Sequence, residues 1–293
     1  MRTANRNDRA MLNNTMSNDD VYVKSQILDL STITGYKSRK GIEKAVVVDG
    51  QIVNVVSDGY GHLPNENFFG KVEEKLTGAG IQYDTRSINR GNCSFVVDYI
   101  LKGDDFAIKS KGETKGDKMK PMLRFMTSFD GSCPTSGGFG FFRQVCSNGL
   151  HVAQSVVGFK VKKRGNIQEV VLPKMDEVIE QFMNNEFYEL RRKFEVMAET
   201  PIKDLSDFVK VTAEHFKLFT FASSETNTDP SLNARIVMDV IEHEANILNT
   251  SPNLWLGYNA FNELLHGKLK KTFSMQKTLD SKIFNHVYEL ANA

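Results

Sequence analysis

One short stretch of the chain combines three residue types that single-strand binding uses. The run Gly137–Arg143 is GGFGFFR. Glycine allows close approach to the backbone, phenylalanine rings offer faces on which bases stack, and arginine pairs with phosphate. On a strand, Phe139 and Phe141 would share one face of the sheet and Phe142 would point to the other. The run therefore predicts a surface for single-stranded nucleic acid; the alternative is that all three rings pack in the core beside a glycine bulge.

Lysines and arginines elsewhere in the same part of the sequence are candidate phosphate contacts. A basic segment covers residues 109–120, and a second basic run covers residues 160–164. Arginines on neighbouring predicted strands could line one sheet face, although surface ion pairs explain them equally well. A solvated loop is the other interpretation of residues 109–120. Besides the three phenylalanines, the predicted binding residues are Arg86, Arg90, Lys118, Lys120, Arg124, Arg143, Lys160, Lys162, Lys163 and Arg164.

Motifs that indicate catalysis or a cofactor do not occur in the sequence. There is no phosphate-binding loop (P-loop) of the kind found in nucleoside triphosphatases, no dinucleotide-binding glycine motif and no nucleophile elbow. His243-Glu244 begins a zinc-protease pattern, but residue 247 is isoleucine, so the second histidine ligand is missing. We expect no catalytic residue, no metal site and no cofactor. An active site assembled from residues distant in sequence would leave no such motif and stays open.

Composition restricts how a polyanion could be bound and where the protein acts. The chain has 37 basic and 36 acidic side chains, so binding must use a local patch rather than overall charge. The three cysteines form no Cys-x-x-Cys pair, which is typical of a reducing compartment. The sequence contains no apolar stretch suited to a secretory signal or a membrane span. We expect a cytoplasmic protein, in the host cell if phage-encoded, with no membrane partner.

Apolar periodicity predicts strands first and helices afterwards. Asp49-Gly50 between two β-branched runs indicates a hairpin over residues 45–57, and helical spacing predicts a helix over residues 66–79. Strand patterns follow at residues 81–89, 93–101, 121–129 and 139–146, with a fifth candidate at 152–162. Beyond Pro173 the spacing is helical, over residues 175–197, 205–219, 232–248, 254–265 and 278–291.

This order of elements predicts an α+β fold. The prediction is an N-terminal β-hairpin, a helix and an antiparallel sheet, followed by a C-terminal helical half. We expect a flexible arm over residues 1–20, a mainly antiparallel β-sheet region with one helix over residues 21–172, and a helical region packed on it over residues 173–293. The connection near residue 173 is too short to indicate independent domains, so one structural unit is expected.

Two segments resemble a known family. Residues 143–150, RQVCSNGL, and residues 255–266, WLGYNAFNELLH, are similar to segments of the phage- and plasmid-borne DUF932 family. The family name assigns no activity, but carriage on mobile elements implies a need to handle single strands during replication or recombination. The order of elements is also similar to that of phage annealing proteins of the Rad52 and Red-beta kind, which implies possible assembly into homo-oligomers.

Two functional hypotheses follow from the sequence. The first is a phage- or plasmid-type protein that binds single-stranded DNA, could anneal complementary strands, and works with replication or recombination proteins. The second is a protein-interaction factor, a host-takeover or counter-defence adaptor, whose helical half contacts its partner without nucleic acid. Binding of single strands that weakens as salt rises would separate the two.

Overall fold

The computed structural model describes most of the chain, with gaps. The described residues are 20–34, 42–103, 106–109, 116–143, 149–150, 158–183, 188–222, 224, 228–269 and 271–293. The predicted arm, apart from Asp20, lies outside them. So do residues 110–115 of the basic segment, residues 144–148 after Arg143, and the first part of the fifth predicted strand.

A small antiparallel sheet of three strands comes first in the described chain. Its strands are β1 (Ser25–Asp29), β2 (Ile42–Val48) and β3 (Gln51–Ser57), in that spatial order, and the short helix α1 (Leu30–Thr34) follows β1. Val48 pairs with Gln51 across a two-residue loop, in which Asp49 and Gly50 have φ angles of +49° and +78°. Aspartate and glycine tolerate this left-handed backbone, so the predicted hairpin is confirmed.

A larger antiparallel sheet follows and forms the centre of the described structure. Its strands are β4 (Tyr83–Arg90), β5 (Ser94–Leu101), β6 (Phe106–Ile108), β7 (Asp117–Ser128), β8 (Thr135–Arg143), β9 (Gly149–Leu150) and β10 (Gly158–Val161). The order is β10-β8-β7-β5-β4, with β6 paired to β7 and β9 to β8. Every residue of β5 and β8 is buried, so both faces of the sheet are covered at its centre.

Helices make up most of the described chain after the sheet. The predicted first helix is α2 (Asn65–Gly78), and the helical half contains α3 (Ile167–Met183), α4 (Tyr188–Glu199), α5 (Leu205–His215), α6 (Leu232–Leu248), α7 (Leu254–Gly267) and α8 (Phe273–Leu290). The predicted α+β class is therefore confirmed.

Two helix starts differ from the prediction. Pro173 lies inside α3 instead of before it, because Ile167 and Val171 are buried in the core and hold the preceding turn in place. Helix α8 begins at Phe273 because the Thr272 hydroxyl accepts a hydrogen bond from the amide of Met275 and caps the helix.

A buried ionic cluster connects the sheet to the helical half. Arg143 at the end of β8 donates to Asp117 of β7 and to both carboxylate oxygens of Glu244 in α6, at 2.8 and 2.7 Å. The indole N–H of Trp255 in α7 donates to Asp117 at 2.7 Å. The side chains of this cluster, which we call the Arg143 cluster, are almost fully buried. It holds α6 and α7 against one end of the sheet.

Glu263 of α7 lies beside the Arg143 cluster and takes a shifted pKa from it. Burial and the charge of Glu244 raise the pKa of Glu263 to about 7, against the opposing effect of Arg143. Since the ordinary value is 4.5, the folded protein keeps a proton on Glu263 over a pH range in which the unfolded chain has released it.

Gly137 of β8 allows aromatic rings to pack directly against the sheet. A Cβ atom at Gly137 would lie 2.4 Å from the ring of Phe125 and 2.7 Å from that of Phe159. The glycine therefore makes room for the core, whereas the sequence pattern was interpreted as room for a ligand.

We predict that Gly137→Ala lowers the free energy of unfolding by about 1–3 kcal/mol, because the methyl group overlaps the Phe125 ring. The matched control is Gly70→Ala in the interior of α2, where no atom of another side chain lies within 4 Å of the place that the added methyl group would take. This control should raise stability by about 0.5–1 kcal/mol, since alanine favours helix. Urea unfolding of both variants checks the prediction, and a Gly137→Ala variant as stable as the parent would contradict it.

We also predict that the free energy of unfolding falls as pH rises from about 4.5 to about 7, as far as Glu263 contributes. In that interval the folded state binds more protons than the unfolded state, so raising the pH favours unfolding. Glu263→Gln should remove this contribution, and Glu242→Gln at an exposed position of α6 should not. Urea unfolding across this pH range measures the difference. Identical pH profiles for the parent and Glu263→Gln would count against it.

Candidate functional site

The phenylalanines of the glycine-rich run lie in the core. Phe139, Phe141 and Phe142 are 1%, 0% and 6% exposed. Phe141 meets Phe194 of α4 with ring centroids 5.3 Å apart, whereas Phe142 packs with Met122 in a separate cluster. The alternation of faces is as predicted. The prediction that bases stack on these rings is corrected, because buried rings offer no open face. The alternative, that all three rings pack in the core, describes them.

Three of the predicted binding arginines are held in buried ion pairs. Arg143 belongs to the Arg143 cluster, and Arg86 and Arg124 both donate to Oδ2 of Asp98, each from Nη2 at 2.7 Å. Burial opposes ionisation of Asp98, but Arg124 and Arg86 outweigh it and lower the pKa of this carboxyl. Ion pairing is thus the correct interpretation of Arg86 and Arg124, although the pairs are buried. Their predicted roles in phosphate binding are corrected for the same reason.

The remaining predicted lysines and arginines occupy different places. The ammonium of Lys163 donates to Thr127 Oγ1 at 2.8 Å, and burial lowers its pKa to about 8. Lys163 is therefore turned towards the sheet. Lys118, Lys162 and Arg164 are exposed and Lys120 is partly buried, but none of the four lines either cavity described next. Lys160 and Arg90 each line one of these cavities.

The cavity that contains Lys160 lies between the large sheet and α8. It has a volume of about 320 Å³ and is lined by Met126, Pro134, Ser136, Lys160, Lys277, Thr278, Ser281 and Lys282. We call it the Lys277 cavity. Its described lining contains three ammonium groups and three hydroxyls, and no carboxylate. Such a lining favours an anion.

Lys277 carries the electrostatic signature of this cavity. Burial, together with the positive charges of Arg124 and Lys160, lowers the pKa of Lys277 to about 8. Burial of the ammonium group is the larger cause, and the two neighbouring positive charges act in the same direction. Ser136, 1% exposed, has a buried hydroxyl oxygen without a hydrogen-bond partner. An anion in the cavity would address both features.

The cavity that contains Arg90 lies beside the start of α8, where Thr272 and Gln276 line it. It has a volume of about 530 Å³ and is lined by Arg90, Ser94, Asp130, Ser132, His266, Gly267, Lys268, Leu269, Lys271, Thr272 and Gln276. We call it the Arg90 cavity. Arg90 Nη1 donates to the carbonyl oxygen of Lys271 at 3.3 Å, which ties the end of β4 to the connection before α8.

Both cavities border α8, so their basic residues form one surface. Gln276 lines the Arg90 cavity and its neighbour Lys277 lines the other. We call this the α8 surface; its basic residues are Arg90, Lys160, Lys268, Lys271, Lys277 and Lys282. Asp130 is the single carboxylate among the lining residues that the structure describes.

Sequence reasoning missed the helical half of the α8 surface. The run KLKK at residues 268–271, between two predicted helices, was an available sign of local positive charge. Lys277 and Lys282 gave no such sign, because they occur singly on an amphipathic helix. Only the packing of α8 beside β8 and β10 brings them to Lys160.

Metal sites and membrane spans are both absent from the described residues. No group of three or more His, Cys, Asp or Glu side chains there is arranged to hold a metal ion. Within that same part of the chain, no helix combines the length and the apolar character that crossing a bilayer requires.

Comparison with known families, proteins and structures gives one match. A family model described as a domain of unknown function, DUF932, matches residues 52–282. The chain belongs to the DUF932 family. The DUF932 match runs from β3 into α8 and includes every lining residue of both cavities. No curated protein and no solved structure matches the chain, and the likeness to annealing proteins is not confirmed.

We predict that Asp98→Asn lowers the free energy of unfolding by about 3–5 kcal/mol, because Arg86 and Arg124 then lose the buried negative charge that they share. The matched control is Asp84→Asn on β4, whose carboxylate pairs with Lys102 at 2.6 Å in an exposed position. That exposed pair should contribute less than about 1 kcal/mol. Urea unfolding compares the two variants. Similar losses of unfolding free energy would show that the buried Asp98 pairs contribute no more to stability than an exposed pair does.

Proposed function

We propose that this protein binds single-stranded DNA without sequence specificity, through the α8 surface. The observation that carries the proposal is the convergence of six basic side chains, from both halves of the fold, on two adjacent cavities with one carboxylate between them. Phosphate groups supply the missing negative charge. The hydroxyls that line the cavities are further donors of the kind that contact phosphate oxygens.

The charge distribution supports a local binding surface. The whole chain carries only +1, so its overall field attracts a polyanion weakly. At the α8 surface, in contrast, the lining cations outnumber the lining carboxylate by six to one. Binding through such a surface would release counterions from the strand and would weaken steeply as salt rises.

The proposed contacts are to the backbone rather than to the bases. None of the residues that line the two cavities is a phenylalanine, tyrosine or tryptophan, so base stacking has no part in the proposal. Concave cavities favour a flexible strand, because a duplex is stiff over the dimensions of a protein and cannot bend its phosphates inwards at low cost. Such strands arise during replication and recombination.

We predict that a fluorescent single-stranded oligonucleotide binds at about 50 mM salt and that log affinity falls linearly with log salt concentration. Lys268→Gln combined with Lys271→Gln should weaken binding about 10-fold or more and reduce the salt slope by about 1–2, since each substitution removes one phosphate contact. Fluorescence anisotropy over a salt series measures both. The control is Lys210→Gln, an exposed lysine of α5 that lines neither cavity.

Two results would contradict this proposal. One is the absence of binding to any single strand at about 50 mM salt. The other is binding that the double substitution leaves unchanged, which would place the interface away from the α8 surface. Recovery of one host protein, in the absence of nucleic acid and of DNA binding, would favour the interaction-factor hypothesis instead.

A further inference from the structure

We propose that the Lys277 cavity is a binding site for a single phosphate group, held by the ammonium groups of Lys277 and Lys160 and the hydroxyl of Ser136. This inference rests on the proposed function and makes it more specific, because it assigns one of the two cavities to a defined ligand. The ligand is either a phosphodiester within the strand or a phosphate monoester at its end.

The backbone places two of the three donors side by side. Lys160 of β10 and Ser136 of β8 are direct partners in the antiparallel pairing of these strands. Side chains of directly opposed residues lie on the same face of a sheet, with Cβ atoms about 4.5–5.5 Å apart. Lys277 of α8 closes the cavity over this pair. The three donors therefore come from three elements and converge on one space.

Ser136 is the part of the site that the folded protein leaves unsatisfied. Its side chain is 1% exposed, and its hydroxyl oxygen has no hydrogen-bond partner. A buried polar group without a partner is unfavourable and is uncommon in folded proteins. A phosphate oxygen in the cavity would accept a hydrogen bond from this hydroxyl and so give it the missing partner.

The charged groups around Lys277 are mostly positive. Arg124 of β7 and Lys160 of β10 act on it from the sheet, and Lys282 lines the cavity from the same helix. Asp280 also belongs to α8, but Asp280 Oδ1 accepts hydrogen bonds from Tyr258 at 2.9 Å and from Asn262 at 2.8 Å. Arg124 is paired with Asp98. A bound phosphate group, with one negative charge as a diester and up to two as a terminal monoester, would offset positive charge around Lys277 and return its pKa towards the ordinary value.

The rest of the lining fits the ester side of a phosphate. Met126 and Pro134 are the apolar residues of the cavity. The volume of about 320 Å³ exceeds that of a phosphate group alone, so carbon atoms of an attached sugar can lie against these two side chains. The hydroxyls of Thr278 and Ser281 are further lining groups on α8.

The first experiment uses sulfate and inorganic phosphate as probes with the full-length protein. Calorimetric titration at about pH 8.5, in buffers of different ionisation enthalpy, reports proton uptake on binding. Sulfate does not titrate at this pH, so uptake with sulfate belongs to the protein. We expect both anions to bind with uptake of a fraction of one proton, because Lys277 is largely neutral in the free protein and charged in the complex.

Variants assign the uptake to the cavity. Lys277→Gln should abolish the proton uptake and weaken anion binding about 10-fold, and Lys160→Gln should weaken binding while the uptake persists. Ser136→Ala should weaken binding by a few-fold through loss of one hydrogen bond. The control is Lys271→Gln in the Arg90 cavity, which should leave binding of the small anions unchanged. Circular dichroism and the unfolding midpoint establish that each variant is folded.

The outcomes separate this site from the proposed function. Absence of anion binding, or binding that neither Lys277→Gln nor Lys160→Gln affects, overturns the site. If DNA binding then still depends on Lys268 and Lys271, the proposed function stands without it. If the parent protein binds neither the small anions nor single-stranded DNA, both proposals are overturned. Competition with oligonucleotides identifies the source: a 5′-phosphorylated strand that competes better than the unphosphorylated one indicates a terminal phosphate, and equal competition indicates an internal phosphodiester.

Discussion

The ion pairs of Arg143 with Asp117 and Glu244 are the interaction on which the arrangement of the two halves depends. The three groups come from β8, β7 and α6, and Trp255 of α7 donates to the same aspartate. A buried ion pair contributes little net stability compared with apolar residues of similar volume, but it is costly to leave half of it unpaired. The cluster therefore acts mainly as a positional constraint. With α6 and α7 held at one end of β7 and β8, α8 follows α7 in the chain and lies beside β7, β8 and β10, with which it lines the Lys277 cavity.

The fate of the basic residues divides them into two groups. Arg86, Arg124 and Arg143 are buried on strands of the sheet and meet carboxylates there, so each is held in an ion pair inside the fold. The basic residues of the α8 surface, in contrast, line cavities whose described lining includes one carboxylate, Asp130. A positive side chain that is paired with a buried carboxylate has a structural role. A group of positive side chains around cavities lined by a single described carboxylate is what an anionic ligand would complete.

Local signals in the sequence predicted much of the fold and little of the site. Asp49-Gly50 needs only its own backbone preference to make the hairpin, and α6 begins and ends where its capping and apolar spacing indicate. The prediction that a helix begins beyond Pro173 is wrong, because burial of the residues before Pro173 outweighs the preference of proline for the start of a helix. The α8 surface brings together residues from distant parts of the chain, such as Lys160 and Lys277, and the Arg143 cluster does the same. Arg143 and Glu244 are 101 residues apart, and no pattern within β8 reveals that its aromatic and basic residues would face inwards.

The adjacency of Gln276 and Lys277 has a consequence for any strand that occupies both cavities. Successive residues of an α-helix lie about 100° apart around its axis, so these two neighbours face adjacent sides of α8, and the sugar-phosphate chain would have to curve around the helix to reach both cavities. A path of this kind turns sharply within a few nucleotides. Turning opens the gap between successive bases and disrupts their stacking, at a cost of a few kcal/mol per step. The helix would then serve as a ridge that keeps a short stretch of bases apart from one another and free of secondary structure.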